Sequence, residues 1–193
     1  MILCDTEIQA ALINGQTLIE PRPPQEHITT SAVDLTLGGR EFKQWNLPAG
    51  AGIELTVDPS QPNFFSSLTP YLADVPRERD QAIIIKPGQL VLALTHERIE
   101  LPEQSRLAAR VEGRSSLARL GLGVHVTAPT IHSGFKGNIT LEITNMGGFP
   151  IKLRPGMRIC QLIFELVFGT PSAAMAGIFQ DQQSVTGSSA PPL

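Results

Sequence analysis

The chain has 193 residues, of which 41% are hydrophobic and 17% charged, as in an ordinary globular protein with a sizeable core. Its 15 Lys and Arg against 18 Asp and Glu give a formal net charge of -3, which argues against a general nucleic-acid binder. Two cysteines are too few for a disulfide scaffold, so the reducing cytoplasm is the expected compartment. The apolar runs are interrupted and too short to span a membrane, so a soluble protein is expected.

The first part of the chain predicts an amphipathic helix. Residues 6–13 carry apolar side chains at helical spacing. Thr6 and Gln9 have the spacing of a capping box, and Asn14–Gly15 is a natural stop.

A strand is expected over 33–37, because apolar and polar residues alternate there and Gly38–Gly39 closes the run.

Residues 46–80 are rich in Pro, Gly and Ser and predict a surface excursion. Within it, only 53–57 has the pattern of a strand. No function is assigned to this excursion.

Two stretches share a pattern in which apolar runs flank a Pro-Gly turn. They are 83–94, around Pro87–Gly88, and 151–162, around Pro155–Gly156. Each predicts a hairpin. Two such hairpins in one small domain favour a folded-over, pseudo-symmetric β-barrel over a layered α/β sheet.

Two further strands are expected between these stretches, over 124–128 and 137–145. In the second strand, alternate side chains face opposite ways. One face carries Ile139, Leu141 and Ile143, and the other carries Thr140, Glu142 and Thr144.

A short helix of barely two turns is predicted before these strands, with Ser115 or Ser116 as its N-cap and Gly121 as its stop. Its first N–H groups, with the Arg114 guanidinium beside them, are suited to bind phosphate. Arg119 lies four residues after Ser115, so both side chains share one face.

These motifs, in this order, resemble the dCTP deaminases, within the superfamily shared with the trimeric dUTP pyrophosphatases. The resemblance rests on 114–122, 124–128, 134–137 and 140–142, together with 3–5, 21–24, 31–38 and 154–157. It implies a mainly β fold, a β-clip or distorted β-barrel with an N-terminal helix and a short central helix. One domain would cover 1–168, and 169–193 would be a flexible tail and candidate active-site lid. The resemblance also implies a homotrimer with active sites between subunits.

The implied activity is the hydrolysis of dCTP to dUTP and ammonia, in pyrimidine deoxynucleotide supply. Mg²⁺ would be carried on the triphosphate, with no metal ligand from protein side chains. Glu142 would be the catalytic carboxylate, supported by Ser115 and Arg119. The implied substrate-binding residues are Arg114, Ser115, Ser116, Leu117, Ala118, Arg119, Val126, Thr127, Ala128, His132, Phe135, Thr140, Leu141, Glu142 and Gln182.

The residue chemistry is compatible with this activity. Replacing a pyrimidine amine requires an activated water, a proton for the ring nitrogen and a proton for the departing ammonia, and one carboxylate can serve all three steps. Zinc catalysis is not expected, because H-x-E followed by P-C-x-x-C is absent and the four histidines are not clustered. By residue type alone, a solvated strand position is the expected role of Glu142, and only the flanking motifs of the resemblance favour catalysis; His125 is expected to be a hydrogen-bonded structural histidine.

Two departures from the family pattern leave alternatives open. His132 stands where the family usually has an Asp, which contacts the sugar in deaminases and activates water in the pyrophosphatases. Of the tail's Tyr, Lys and Gln, only Gln182 is retained, which predicts weaker triphosphate binding or a different substrate. One alternative is a dUTP pyrophosphatase or bifunctional enzyme, against which His132 argues. The other is a catalytically weakened, nucleotide-binding paralogue with a regulatory or structural role.

Overall fold

A computed structural model describes residues 1–46, 55–62, 64–169 and 180–186. Within these ranges the helices are α1 (Asp5–Ile13), α2 (Phe64–Leu68) and α3 (Ser115–Ala118). The strands are β1 (Leu18–Glu20), β2 (Val33–Trp45), β3 (Leu72–Asp74), β4 (Ile83–Ile85), β5 (Leu90–Glu100), β6 (Leu107–Gly113), β7 (Leu122–Val124), β8 (Thr130–Ile131), β9 (Lys136–Asn145), β10 (Ile151–Leu153) and β11 (Arg158–Leu166). The mainly β fold with an N-terminal and a short central helix is confirmed.

Within the described ranges, nine strands form one antiparallel sheet that curls around the core. Its order is β7-β9-β5-β2-β11-β6-β8, with β1 added to β5 and β3 added to β2. The large side chains fully buried in the curl include Leu35, Leu37, Phe42, Ile83, Ile85, Ile99, Leu101, Leu141 and Phe164. None of the described helices is both long and apolar enough to span a bilayer.

The two Pro-Gly units are equivalent, but the prediction that each is a hairpin is wrong. β4 pairs with β10 from the other unit, with Ile84 opposite Lys152. β5 pairs with β2 and β9, and β11 pairs with β2 and β6. A Pro-Gly turn specifies a reversal of the chain, but not the strand that supplies the hydrogen bonds. The first strands of the two units therefore pair with each other, and the second strands join the large sheet.

β2 does not end at Gly38–Gly39, as predicted, but continues to Trp45. Its polar residues Asp34 and Thr36 are also buried. Thr36 donates its backbone N–H and its hydroxyl to the buried carboxylate of Glu97, at 2.8 Å and 2.7 Å. These polar groups can be buried because they have hydrogen-bond partners, which a strand pattern does not reveal.

α1 is confirmed, but its predicted capping box is displaced by two residues. The N-cap is Cys4, whose backbone N–H donates to Glu7 Oε2 at 3.3 Å. Two overlapping pairs, Cys4 with Glu7 and Thr6 with Gln9, have the same spacing. The start of the helix at Asp5 selects the first pair.

The strand predicted over 53–57 falls partly outside the described residues, and residues 55–57 do not form a strand. The excursion instead contributes α2 and β3, and β3 pairs with the end of β2 through Leu72 and Trp45. Sequence periodicity missed both elements because each is very short.

α3 is shorter than predicted and its N-cap is Arg114, so neither serine caps it. Gly121, predicted to stop the helix, lies in a left-handed turn three residues after its end. Gly121 has φ +86°, and an added Cβ there would overlap the backbone of Gly147. This close approach sets the position of α3 relative to the connection that follows β9.

Gly121→Ala is expected to destabilise the fold by about 1 to 3 kcal/mol, because it combines a strained backbone with a backbone overlap. Gly148→Ala is the matched control, since Gly148 has open space around it and no positive φ. Thermal unfolding of both variants measures the difference. Equal losses of stability would contradict the proposed packing role of Gly121.

Candidate active site

A cavity of about 400 Å³ lies beside Glu142. We call it the Glu142 pocket. Six of the residues predicted from the sequence line it together: Ala128, His132, Phe135, Thr140, Glu142 and Gln182. They come from the turn after β7, from the β8–β9 connection, from β9 and from the tail segment 180–186.

The alternation of β9 positions Glu142. Its neighbours on the strand, Leu141 and Ile143, are fully buried in the core. The intervening side chain must therefore face the other way, and the confirmed alternation directs it into the pocket. The Glu142 side chain is 36% exposed, so its carboxylate is neither in bulk water nor sealed in the core.

His125 contacts this carboxylate, although sequence reasoning gave it only a structural role. Its backbone has φ +62°, and its N–H donates to the carbonyl oxygen of Glu142 at 3.1 Å. Its Nδ1 lies 2.9 Å from Glu142 Oε2, an ion-pair distance, and its Nε2 lies 2.6 Å from the carbonyl oxygen of Ala128. Nothing in the local sequence identified this contact, because it depends on the left-handed backbone that turns the ring towards β9.

Burial, the largest single cause, lowers the pKa of His125, but the Glu142 carboxylate and backbone hydrogen bonds to Ala128 and Thr140 together raise it, and the net shift is upward. The His125 side chain is only 7% exposed, which weakens solvent screening of this interaction. The contact places a carboxylate with a basic partner at the edge of the pocket.

Several buried polar atoms at the pocket have no hydrogen-bond partner within the described ranges. They are Thr140 Oγ1, Gln182 Oε1, His125 Nδ1 and Glu142 Oε2, and the contact between the last two is not aligned as a hydrogen bond. Buried polar atoms are normally paired. Their convergence on one cavity indicates a site for a ligand with several polar groups.

The tail segment 180–186 forms one wall of the pocket. Gln182 pairs with Gly137 as a short parallel bridge, and its Nε2 donates to the carbonyl oxygen of Asn138 at 2.6 Å. The Val185 backbone N–H donates to Glu41 Oε2 at 2.9 Å. Residues 178 and 179 of the tail motif lie outside the described residues.

A basic cluster lies at the start of α3. Arg114 Nη2 and Arg158 Nη1 lie 3.5 Å and 3.1 Å from Oδ2 of the buried Asp34, and Gln161 Nε2 donates to its Oδ1 at 3.0 Å. Two guanidinium groups face one carboxylate, so positive charge is in excess here. Arg158 and Gln161 were missed from the sequence because strand pairing, not sequence proximity, brings them to Arg114.

The helix residues of the predicted site do not line the Glu142 pocket. Ser115, Ser116 and Arg119 are exposed at the opposite end of β7 from His125. Within the described part of the chain, the Arg119 guanidinium has no ion-pair partner. One copy of the chain thus presents two separate half-sites, one built around Glu142 and one around α3.

The remaining predicted binding residues lie outside the pocket lining. Val126 and Thr127 are exposed beside it, and Ala118 is exposed on α3. Leu117 packs against the core, and Leu141 is completely buried within it. The Leu141 side chain is therefore unavailable to a ligand, and only its backbone could take part.

Comparisons with known proteins place the chain among characterised relatives. A family described as dCTP deaminase-like matches residues 2–167. The chain is 42% identical over 164 residues to a Methanosphaera stadtmanae protein named "dCTP deaminase, dUMP-forming", covering 85% of this chain and 78% of that protein. It is 39% identical to a dCTP deaminase of Pectobacterium atrosepticum, covering 97% of each chain.

A similar fold occurs in the crystal structure of 2'-deoxycytidine 5'-triphosphate deaminase from Agrobacterium tumefaciens, with a TM-score of 0.60 and 22% identity. The similarity covers 86% of this chain and 48% of that one. This chain therefore spans about half the length of that structure, and the likeness concerns the fold alone.

Glu142→Gln is expected to lower the pKa of His125, because burial would then act without the opposing carboxylate. NMR titration of the imidazole protons measures this, with the exposed Glu26→Gln as a control that leaves it unchanged. Since the folded pKa is raised, the contact stabilises the native chain fully below about pH 6.5, the ordinary histidine value. That stabilisation is lost as the pH rises through the raised value. The same pKa in both variants would exclude this coupling.

Proposed function

The chain belongs to the dCTP deaminase-like family, and we propose that it hydrolyses the exocyclic amine of dCTP to give dUTP and ammonia. The observation that carries this proposal is the half-buried Glu142 carboxylate, held by His125 in a pocket with unpaired polar atoms. A cavity of about 400 Å³ is large enough for the base and sugar of one nucleotide. The family and its deaminase relatives support the choice of substrate.

In the proposed reaction, Glu142 removes a proton from a water molecule, which attacks C4 of the cytosine ring. The proton passes to N3 of the ring, and a second proton from the water passes to the departing amine. The C4–N4 bond then breaks, and the oxygen remains as the O4 carbonyl of uracil. His125 acts as a positioning residue, because its Nδ1 lies 2.9 Å from the carboxylate and holds it at the edge of the pocket.

The triphosphate would bind in the half-site around α3, where the Arg114 and Arg158 guanidinium groups leave an excess of positive charge. Mg²⁺ would arrive with the substrate phosphates. Because this half-site is separate from the Glu142 pocket within one chain, we propose that a neighbouring copy supplies α3. A closed ring of three copies would complete every site in the same way.

A second candidate is a bifunctional enzyme that also cleaves dUTP to dUMP, as the name of the Methanosphaera stadtmanae relative suggests. Such cleavage requires a second activated water, near the phosphates. Glu142 is the only carboxylate that lines the pocket within the described ranges, and His132 occupies the position of the family Asp. We therefore expect dUTP to be the main product. Accumulation of dUMP and pyrophosphate from dCTP would instead identify the bifunctional enzyme.

Glu142→Gln is expected to lower kcat for dCTP by about 10² to 10⁴-fold, because it removes the general acid-base group. KM should change little, since the amide retains the shape of the side chain. Release of ammonia and dUTP, separated by chromatography, measures the effect, and Glu26→Gln serves as the control. Equal turnover by wild type and Glu142→Gln would remove Glu142 from the mechanism. Absence of product from the wild type would favour the weakened paralogue.

Mixing two inactive variants tests the shared site. Arg119→Ala and Glu142→Gln should each lose most activity alone. Unfolded and refolded together in equal amounts, they should regain activity at about a quarter of the sites, where an Arg119→Ala copy supplies the intact Glu142 pocket and a Glu142→Gln copy supplies the intact α3. A mixture no more active than its components would mean that one chain carries the whole site.

A further inference from the structure

An aromatic wall closes the apolar side of the Glu142 pocket. It consists of Trp45, at the end of β2, and Phe65, on α2. Their ring centroids are 6.0 Å apart with an interplanar angle of 89°, an edge-to-face arrangement. Both residues line the cavity, beside Leu90 and Leu92 of β5.

Strand register gives the distance between this wall and the catalytic carboxylate. Leu92 is the direct strand partner of both Lys43 on β2 and Glu142 on β9. Trp45 lies two residues beyond Lys43, on the same face of β2. With strands about 4.8 Å apart and a rise of about 3.4 Å per residue, the α-carbons of Trp45 and Glu142 are about 12 Å apart. A single nucleoside can touch both.

Charge indicates which part of a nucleotide this wall can contact. Trp45 and Phe65 offer flat apolar surface, which suits a pyrimidine ring or the carbon face of a sugar and does not suit a phosphate. The nearby Lys43 ammonium is already paired with Asp74 at 2.9 Å. The guanidinium groups suited to phosphate belong to the other half-site.

Exposure also favours a ligand at this wall. Trp45 is 37% exposed and Leu90 is 40% exposed, although both face a pocket whose other apolar members, such as Phe135 and Val185, are buried. A ligand in the pocket would cover this remaining apolar surface. Burial of that surface would favour binding without adding any charge.

We propose that Trp45 and Phe65 bind the nucleoside part of the substrate and set its affinity, while Glu142 performs the chemistry. This assignment rests on the proposed function, because it takes the ligand of the pocket to be a deoxycytidine nucleotide. It gives the excursion after β2, which contributes Phe65, a direct part in substrate recognition.

Kinetics with paired phenylalanine variants test the wall. Phe65→Leu keeps an apolar side chain but removes the ring from the pocket, so KM for dCTP should rise about 2- to 12-fold with kcat little changed. Phe64→Leu is the matched control. Phe64 contacts Phe65 edge to face but does not line the pocket, so its KM should stay close to that of the wild type. Equal KM values in both variants would overturn the proposal.

Fluorescence provides a second readout that is independent of turnover. Trp45 is the only tryptophan of the chain, so all indole emission reports on the wall. Added dCTP should change this emission, and Phe65→Leu should shift the change to higher dCTP concentrations. Inorganic triphosphate, which lacks a base and a sugar, should leave the emission unchanged.

The two readouts separate the wall from the proposed function. A fluorescence response to dCTP without ammonia release would support the wall and contradict the deaminase. Ammonia release from dCTP with no change in Trp45 emission, and with KM unaffected by Phe65→Leu, would support the deaminase and contradict the wall.

Discussion

The alternation of buried and outward side chains along β9 is the constraint on which the rest of the candidate site depends. β9 is paired on both sides, with β5 and β7, and it buries every second side chain in the core. Glu142 lies between two buried neighbours and so has a single direction available to it. A slip of one residue would turn the carboxylate into the apolar interior and destroy both the core and the site. The stability of the sheet and the position of the Glu142 carboxylate therefore have the same origin.

His125 completes this arrangement from the neighbouring strand. β7 ends at Val124, and the left-handed backbone of the next residue turns the imidazole towards β9. A carboxylate in a largely apolar pocket is costly unless a partner compensates its charge. His125 provides that partner while leaving one edge of the carboxylate open to the cavity. The same contact thus permits burial of the acid and leaves it accessible to a substrate.

The two half-sites of one copy of the chain differ in charge. The Glu142 pocket is mostly apolar, with one carboxylate, and is suited to a neutral base. The region around α3 holds two guanidinium groups against one buried Asp34 and is suited to an anion. Their separation within one chain leaves the Glu142 carboxylate beside His125, and the Arg114 and Arg158 guanidinium groups beside Asp34.

The sequence by itself determined β9, the start of β2 and the two helices expected, because periodicity and short motifs are local properties. Alternation in β9 identified the pocket face of Glu142, and Gly121 identified the left-handed turn that follows α3. Only the tertiary structure decided which strands pair, why Asp34 and Thr36 are buried, and that Trp45 reaches the pocket. These features depend on contacts between residues far apart in the chain. A pattern of polar and apolar residues specifies which side chains need partners, but the folded sheet decides which partners they meet.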